Sequence, residues 1–211
     1  MNGVIVAVLH QTGQSRATGW LRFFNFDSES NLPTWFSVFL LLTAAWHLWQ
    51  LSRHEPPKRT FWRILAGVFA FLGVDELGQV HEKFNSVGRT WVGYEEGAGS
   101  GIWHHAWTLP YLLLFAVLGL FLVPQFLRLP RRWLLRFALA AVLFLTGAVL
   151  VEMLSGVFLS DNLRTGSTKD TFYYLMTTLE ESLEMLGVIY FIHQLRRYRT
   201  ALLPSAASSA E

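Results

Sequence analysis

FWRILAGVFAFLGVDELGQVHEKF, residues 61–84, is the stretch on which the fold turns. From Ile64 to Glu82 it contains no Lys or Arg, and its first half is almost wholly apolar. That length is close to the ~20 residues a helix needs to cross a hydrocarbon core. Its far end nevertheless carries Asp75, Glu76, His81 and Glu82. Either the chain is leaving a bilayer there, or acidic side chains are being held inside one.

The rest of the chain repeats the pattern. Lys and Arg are absent from 33–52, 64–82, 104–127, 137–159 and 171–195, and each stretch has about the length of a membrane span. Of the 211 residues, 52% are hydrophobic and only 15% charged, against the roughly 25% charged residues of ordinary soluble domains. The expected fold is therefore an all-α integral membrane protein, a bundle of about five transmembrane helices. Residues 1–32 form an outer N-terminal segment, 33–197 the bundle and 198–211 a disordered cytoplasmic tail. Within the first segment GWLRFFNF, 19–26, gathers five large apolar side chains around one Arg, the composition of a short interfacial helix.

Cation placement orients the bundle. The 53–63 and 128–136 loops and the RRYR tail hold eleven of the 17 basic residues, and the opposite loops hold six. Basic loops stay in the cytoplasm, so the N-terminus is expected outside and the C-terminus inside. This is the pattern of a multi-pass cell-membrane protein of the bacterial inner-membrane type. The N-terminal MNGVIVAVLH has no basic start and makes a poor signal peptide. No cysteine is present, which excludes disulfides and thiolate metal sites. Nothing resembles the basic face of a nucleic-acid binder. The glycine-rich 85–103 stretch reads as an outer loop, because no GK[ST] follows to make a phosphate cradle.

Seven of the fifteen acidic residues fall inside these spans: Asp75, Glu76, Glu82, Glu152, Glu180, Glu181 and Glu184. An ionised carboxylate in low dielectric costs several kcal/mol even after relaxation, so these groups must be neutralised, solvated or bound to a cation. Intramembrane ionisable residues are functional candidates by default. At ~1.5 Å of rise per residue, Asp75 and Glu76 lie ~18–20 Å above Arg63, and His81 and Glu82 ~27–28 Å. Glu152 lies ~24 Å above Arg136, and Glu180, Glu181 and Glu184 ~18–24 Å above Arg196. His104 and His105 open the third span from outside. Four helices thus deliver acids or imidazoles to the outer half of the bilayer.

Helical phase qualifies the picture. Glu184 shares a face with Glu180 or Glu181, and Thr177 extends the stripe by a turn. On an ideal helix Asp75, Gly78, Gln79 and Glu82 share a face, while Glu76 and His81 point elsewhere. Not all four polar groups of the second span can then reach one centre.

Hard cations accept such donors. The expected cofactor is a divalent or trivalent metal ion, iron, manganese or zinc. Glu76, His81, His104, His105, Glu152, Glu181 and Glu184 are the candidate ligands, and Asp75, Glu82 and Glu180 the candidate catalytic acids or bases. The di-iron pattern of carboxylate four-helix proteins is incomplete, because no Glu-x-x-His pair occurs. Ser155 has no evident base and makes a poor nucleophile.

The leading expectation is a polytopic membrane metalloprotein, an oxidoreductase or hydrolase acting on a lipid or other apolar substrate. Two other classes remain open: a proton- or cation-coupled transporter, and a non-catalytic subunit of a larger membrane complex. Expected partners are membrane lipids and either partner membrane subunits or further copies of the chain, with no nucleic acid.

Overall fold

The computed structural model describes residues 23–24, 31–93, 101–165 and 171–203. These are predominantly helical, with no strand among the described residues. The interfacial helix expected over 19–26 lies outside them except for Phe23 and Phe24, as do Glu95 and Glu96 and the end of the tail.

Helix α1 spans Leu32–His54 and starts where Asn31 caps it, its Oδ1 accepting from the Thr34 amide at 3.1 Å. Pro33 sits in the first turn, where no intrahelical amide is lost. A tight turn at Pro56–Lys58 leads to α2, Arg59–Gly78. Two short helices follow, α3 at Val80–Lys83 and α4 at Asn85–Val92. A 3-10 turn at Gly101–Trp103 precedes α5, Thr108–Leu127. Helix α6, Arg131–Leu145, passes into a π-helical turn at Thr146–Val151 and then α7, Glu152–Thr165. The last helix, α8, covers Thr171–Leu202.

Among the described residues three helical stretches are long and apolar enough to cross a membrane: Leu32–His54, Thr108–Leu127 and Arg131–Ser160. Helices α2 and α8, which carry most of the buried-span acids, are not among them. Helix α1 packs along α2 and α8, α8 packs along α6 and the π turn, and α4 meets α5. Large apolar side chains cover the outside, Leu120 being 79% exposed and Phe39 65%.

The two ends of the bundle differ. One end is an aromatic core of α1, α2, α6 and α8, built on Trp62, Phe137, Leu48, Leu51 and Leu195. Trp133 meets Tyr198 edge-on at 5.2 Å and Phe137 meets Phe191 at 5.4 Å. Glu55 pins this end. Its carboxylate accepts from Trp62 Nε1 at 2.8 Å, from the Tyr198 hydroxyl at 3.1 Å, and from Lys58. Burial and the adjacent Glu55 push the Tyr198 phenol above its ordinary range. Helix α8 therefore continues past residue 197, and Tyr198, expected in the tail, belongs to the core. The other end of the bundle is polar.

Three elements depart from expectation. The second span does not continue as one helix to Phe84: α2 stops at Gly78, and Gln79 adopts the left-handed conformation at φ 50°, ψ 42°. Asp75 rewards the break, because its Oδ1 accepts the His81 amide at 2.7 Å, satisfying a donor that the broken ladder would leave open. The first half of the 85–103 loop is helical, and Gly88 is the reason it can pack. A Cβ there would lie 1.9 Å from the Ala106 carbonyl oxygen. Finally, His104 and His105 do not open the third span but stand in the turn before α5.

Candidate functional site: an acid-lined cavity

At the polar end α2, α3, α5, α7, α8 and the π turn surround a cavity of about 390 Å³. That lies within the range of small-molecule sites, ~300–1,000 Å³. Nine of the ten candidate residues line it: Asp75, Glu76, His81, Glu82, His105, Glu152, Glu180, Glu181 and Glu184. His104 does not. It packs instead beside Gly156, where a Cβ would meet His104 Cβ at 3.0 Å, and edge-on to His105 at 5.0 Å. No Lys or Arg is among the described lining residues.

The break at Gln79 overturns the helix-phase argument. A straight helix spreads Asp75, Glu76, His81 and Glu82 around its circumference, whereas the left-handed residue turns α3 back so that all four reach the cavity wall. Glu82 is exposed and stands at the rim.

Two carboxylates are gripped by fixed donors. Asp75, 6% exposed, accepts from the Tyr111 hydroxyl at 2.7 Å as well as from His81, whose Nδ1 lies 3.2 Å from Oδ2. Glu152 accepts from Trp107 Nε1 at 3.0 Å, and His105 Nδ1 lies 3.4 Å from the same oxygen. The His81 and Trp107 rings pack at 4.6 Å, joining the two sets into one network. Asn85 completes it by accepting the Trp107 amide at 3.0 Å. Each set is a carboxylate–imidazole pair, in which the acid orients the ring and selects its tautomer.

The other acids gather between α2 and α8. Glu184 lies within electrostatic range of Glu181, Glu180 and Glu76. Gly147, inside the π turn, lets the wall close here: a Cβ would come within 2.6 Å of the Glu180 carbonyl oxygen and 2.8 Å of Glu184 Cγ. Turns of π-helix recur at functional sites, and this one also sets the phase at which α7 presents Glu152. Ser155 lines the cavity, but its hydroxyl donates to the Glu152 carbonyl at 2.8 Å, a local backbone bond and no nucleophile–base pair.

The expected metal centre is not preformed. Among the described residues no group of three or more His, Asp or Glu side chains stands ready to hold a metal ion. The physical reason is visible at Asp75 and Glu152, whose oxygens face Tyr111, Trp107 and imidazoles. Tyr111, Trp107 and Asn85 are the site residues that sequence reading passed over. Their signal was the four-residue spacing of Trp107 and Tyr111 directly after the histidine pair, which puts two donors on one helix face.

The chain belongs to the family described as domain of unknown function DUF8692, whose model matches residues 2–197. No curated protein and no solved structure matches it.

Proposed function

We propose that this DUF8692 member is a polytopic cell-membrane metalloprotein of five spans, with its N-terminus outside, its C-terminus cytoplasmic and its cavity in the outer half of the bilayer. In this reading α2 and α8 cross with the three apolar helical stretches, because their acids face the cavity and their other faces are apolar. One observation carries the proposal: seven carboxylates and two imidazoles line a single cavity whose described lining has no Lys or Arg. Seven negative charges cannot remain unbalanced beside a bilayer core. A hard cation supplies part of that balance.

Glu76, Glu180, Glu181 and Glu184 are the ligand carboxylates in this scheme, gathered by rotation of their flexible side chains. His81 and His105 ligate through Nε2, held by Asp75 and Glu152 in the orienting role that carboxylates commonly play behind metal-bound histidines. Asp75 and Glu152 thereby become positioning residues. The bound ion (iron, manganese or zinc) would polarise an oxygen-bearing group of a lipid or other apolar substrate, in oxidoreductase or hydrolase chemistry.

The test is elemental analysis of detergent-purified protein after exposure to each metal in turn. At least one transition-metal ion per chain is expected, reduced roughly tenfold or more in Glu184→Gln. Absence of stoichiometric metal under all three conditions refutes the reading.

Among the described residues no ligand triad is preformed, which favours a second reading, in which protons balance the acids and the protein is a proton- or cation-coupled carrier. Proton-coupled uptake in liposomes, abolished by Glu184→Gln in protein free of metal, would select it.

A further inference from the structure

A second cavity adjoins the first and differs from it in chemistry. It is an apolar groove of about 280 Å³ between α2 and α5, lined from Ile64 to Phe71 on one side and from Leu114 to Leu118 on the other. Phe115 lines both cavities. Across the junction the Phe71 ring in the groove lies 6.2 Å from that of Tyr111, which faces the acids.

The groove exists because α5 is held only near its ends. Thr108 and Tyr111 are its buried residues, and Tyr111 ties that end to Asp75. At the other end Phe126 packs 6.4 Å from Phe61 and 6.0 Å from Phe137. Between these anchors α5 stands off α2. Gly67 widens the gap, since a Cβ there would meet nothing within 4 Å. From Ile64 to Phe71 the groove runs ~10 Å along the helix axis, away from the acids and towards the aromatic end. A polar head in the acid cavity would therefore direct a chain down the groove into the hydrocarbon.

We infer that the α2–α5 groove receives the alkyl chain of a long-chain amine whose ammonium head enters the carboxylate-lined cavity. The inference rests on reading the cavity as an intramembrane site, and it names the molecule that site admits. Charge selects the head. A divalent ion balances two of the seven lining carboxylates, so the surplus still attracts an ammonium and repels a carboxylate or phosphate. Shape selects the tail, because the groove offers apolar walls and no donor or acceptor side chain.

The experiment uses the full chain in phosphatidylcholine nanodiscs and octadecylamine carrying a photoreactive diazirine at mid-chain, the part level with the groove when the head lies among the acids. Labelled peptides are mapped by mass spectrometry, and labelling is competed with octadecylamine or with stearic acid. Labelling is expected within 64–71 and 114–118, with octadecylamine competing roughly fivefold or more better than stearate. Gly67→Leu, which fills the groove from its wall, is expected to lower labelling roughly fivefold or more, and Gly119→Leu, on an open part of α5, to leave it unchanged. Equal competition by the two heads means ordinary boundary lipid and overturns the inference, and so does labelling that Gly67→Leu does not alter. The head-group comparison needs no variant, so it decides the matter even if Gly67→Leu fails to fold. Metal content of the same discs separates the two proposals. Discs that hold metal but ignore head-group charge overturn this inference alone, while discs that prefer the amine without metal overturn only the metalloprotein reading.

Discussion

Gly147→Ala tests whether the acid wall depends on a close helix approach. The added methyl group would lie 2.6 Å from the Glu180 carbonyl oxygen, 2.8 Å from Glu184 Cγ and 3.2 Å from the Glu184 amide nitrogen. Ordinary contact begins near 3.4 Å, so the closest approach is about 0.8 Å too short. Glu184 Cγ belongs to a flexible side chain and can move. The Glu180 oxygen is helix backbone, so α8 and the π turn must separate. Overpacking of this kind costs about 1–3 kcal/mol. For a chain of this length each kcal/mol lowers the melting temperature by roughly 2–4 °C, giving a fall of roughly 2–12 °C. The assay is thermal unfolding of the detergent-solubilised protein, with Gly119→Ala as the matched control. A Cβ at Gly119 meets nothing within 4 Å, and removing a helical glycine there should stabilise by about 0.5–1 kcal/mol. If Gly147→Ala melts at or above wild type, like Gly119→Ala, the close approach of the π turn to α8 is refuted, and with it the assembly of Glu180 and Glu184 on one wall.

Three further outcomes follow from other parts of the molecule. Tyr111→Phe removes only the hydroxyl that binds Asp75 at 2.7 Å, and leaving that buried acceptor short of a donor should cost about 1–3 kcal/mol, read as a lower melting temperature that Asp75→Asn does not lower further by the same amount. The cysteine-free chain suits single-cysteine mapping: in spheroplasts Ser86→Cys should react with a membrane-impermeant maleimide and Thr60→Cys only after lysis, and the reverse pattern would refute the proposed orientation. Tyr198 has a raised pKa, through burial and Glu55, so its contribution is full below the unfolded tyrosine value near 10 and is lost as pH rises above it. Wild-type stability should therefore fall more steeply above pH ~10 than that of Tyr198→Phe, and parallel pH profiles would refute the Tyr198–Glu55 contact.

Much of the site was legible because the relevant signal is compositional. An acid in a stretch free of Lys and Arg is conspicuous wherever the helices go, and all seven acids chosen on that ground line one cavity, with two of the three candidate histidines. His104 and His105 look equivalent in sequence, but of the two it is His105 that lines the cavity. In the turn before α5 both side chains pack against Gly156 of α7, and His105 also meets Glu152. Tyr111, Trp107 and Asn85 escaped notice for the opposite reason: aromatic and amide side chains are unremarkable near a span end until a carboxylate is placed opposite them.

Composition and charge spacing by themselves determined the helical class and the apolar exterior, since each follows from which side chains a low-dielectric surrounding tolerates. Convergence needed the tertiary structure. Whether Asp75, Glu76, His81 and Glu82 meet depends on a left-handed Gln79 that an ideal-helix count cannot include, because the break is stabilised by Asp75 accepting the His81 amide six residues on. The approach of α8 to the π turn likewise depends on Gly147 facing Glu180, a pairing of residues 33 positions apart in the chain. Local patterns specify which groups are costly to leave exposed to lipid, and packing alone specifies what each of them meets.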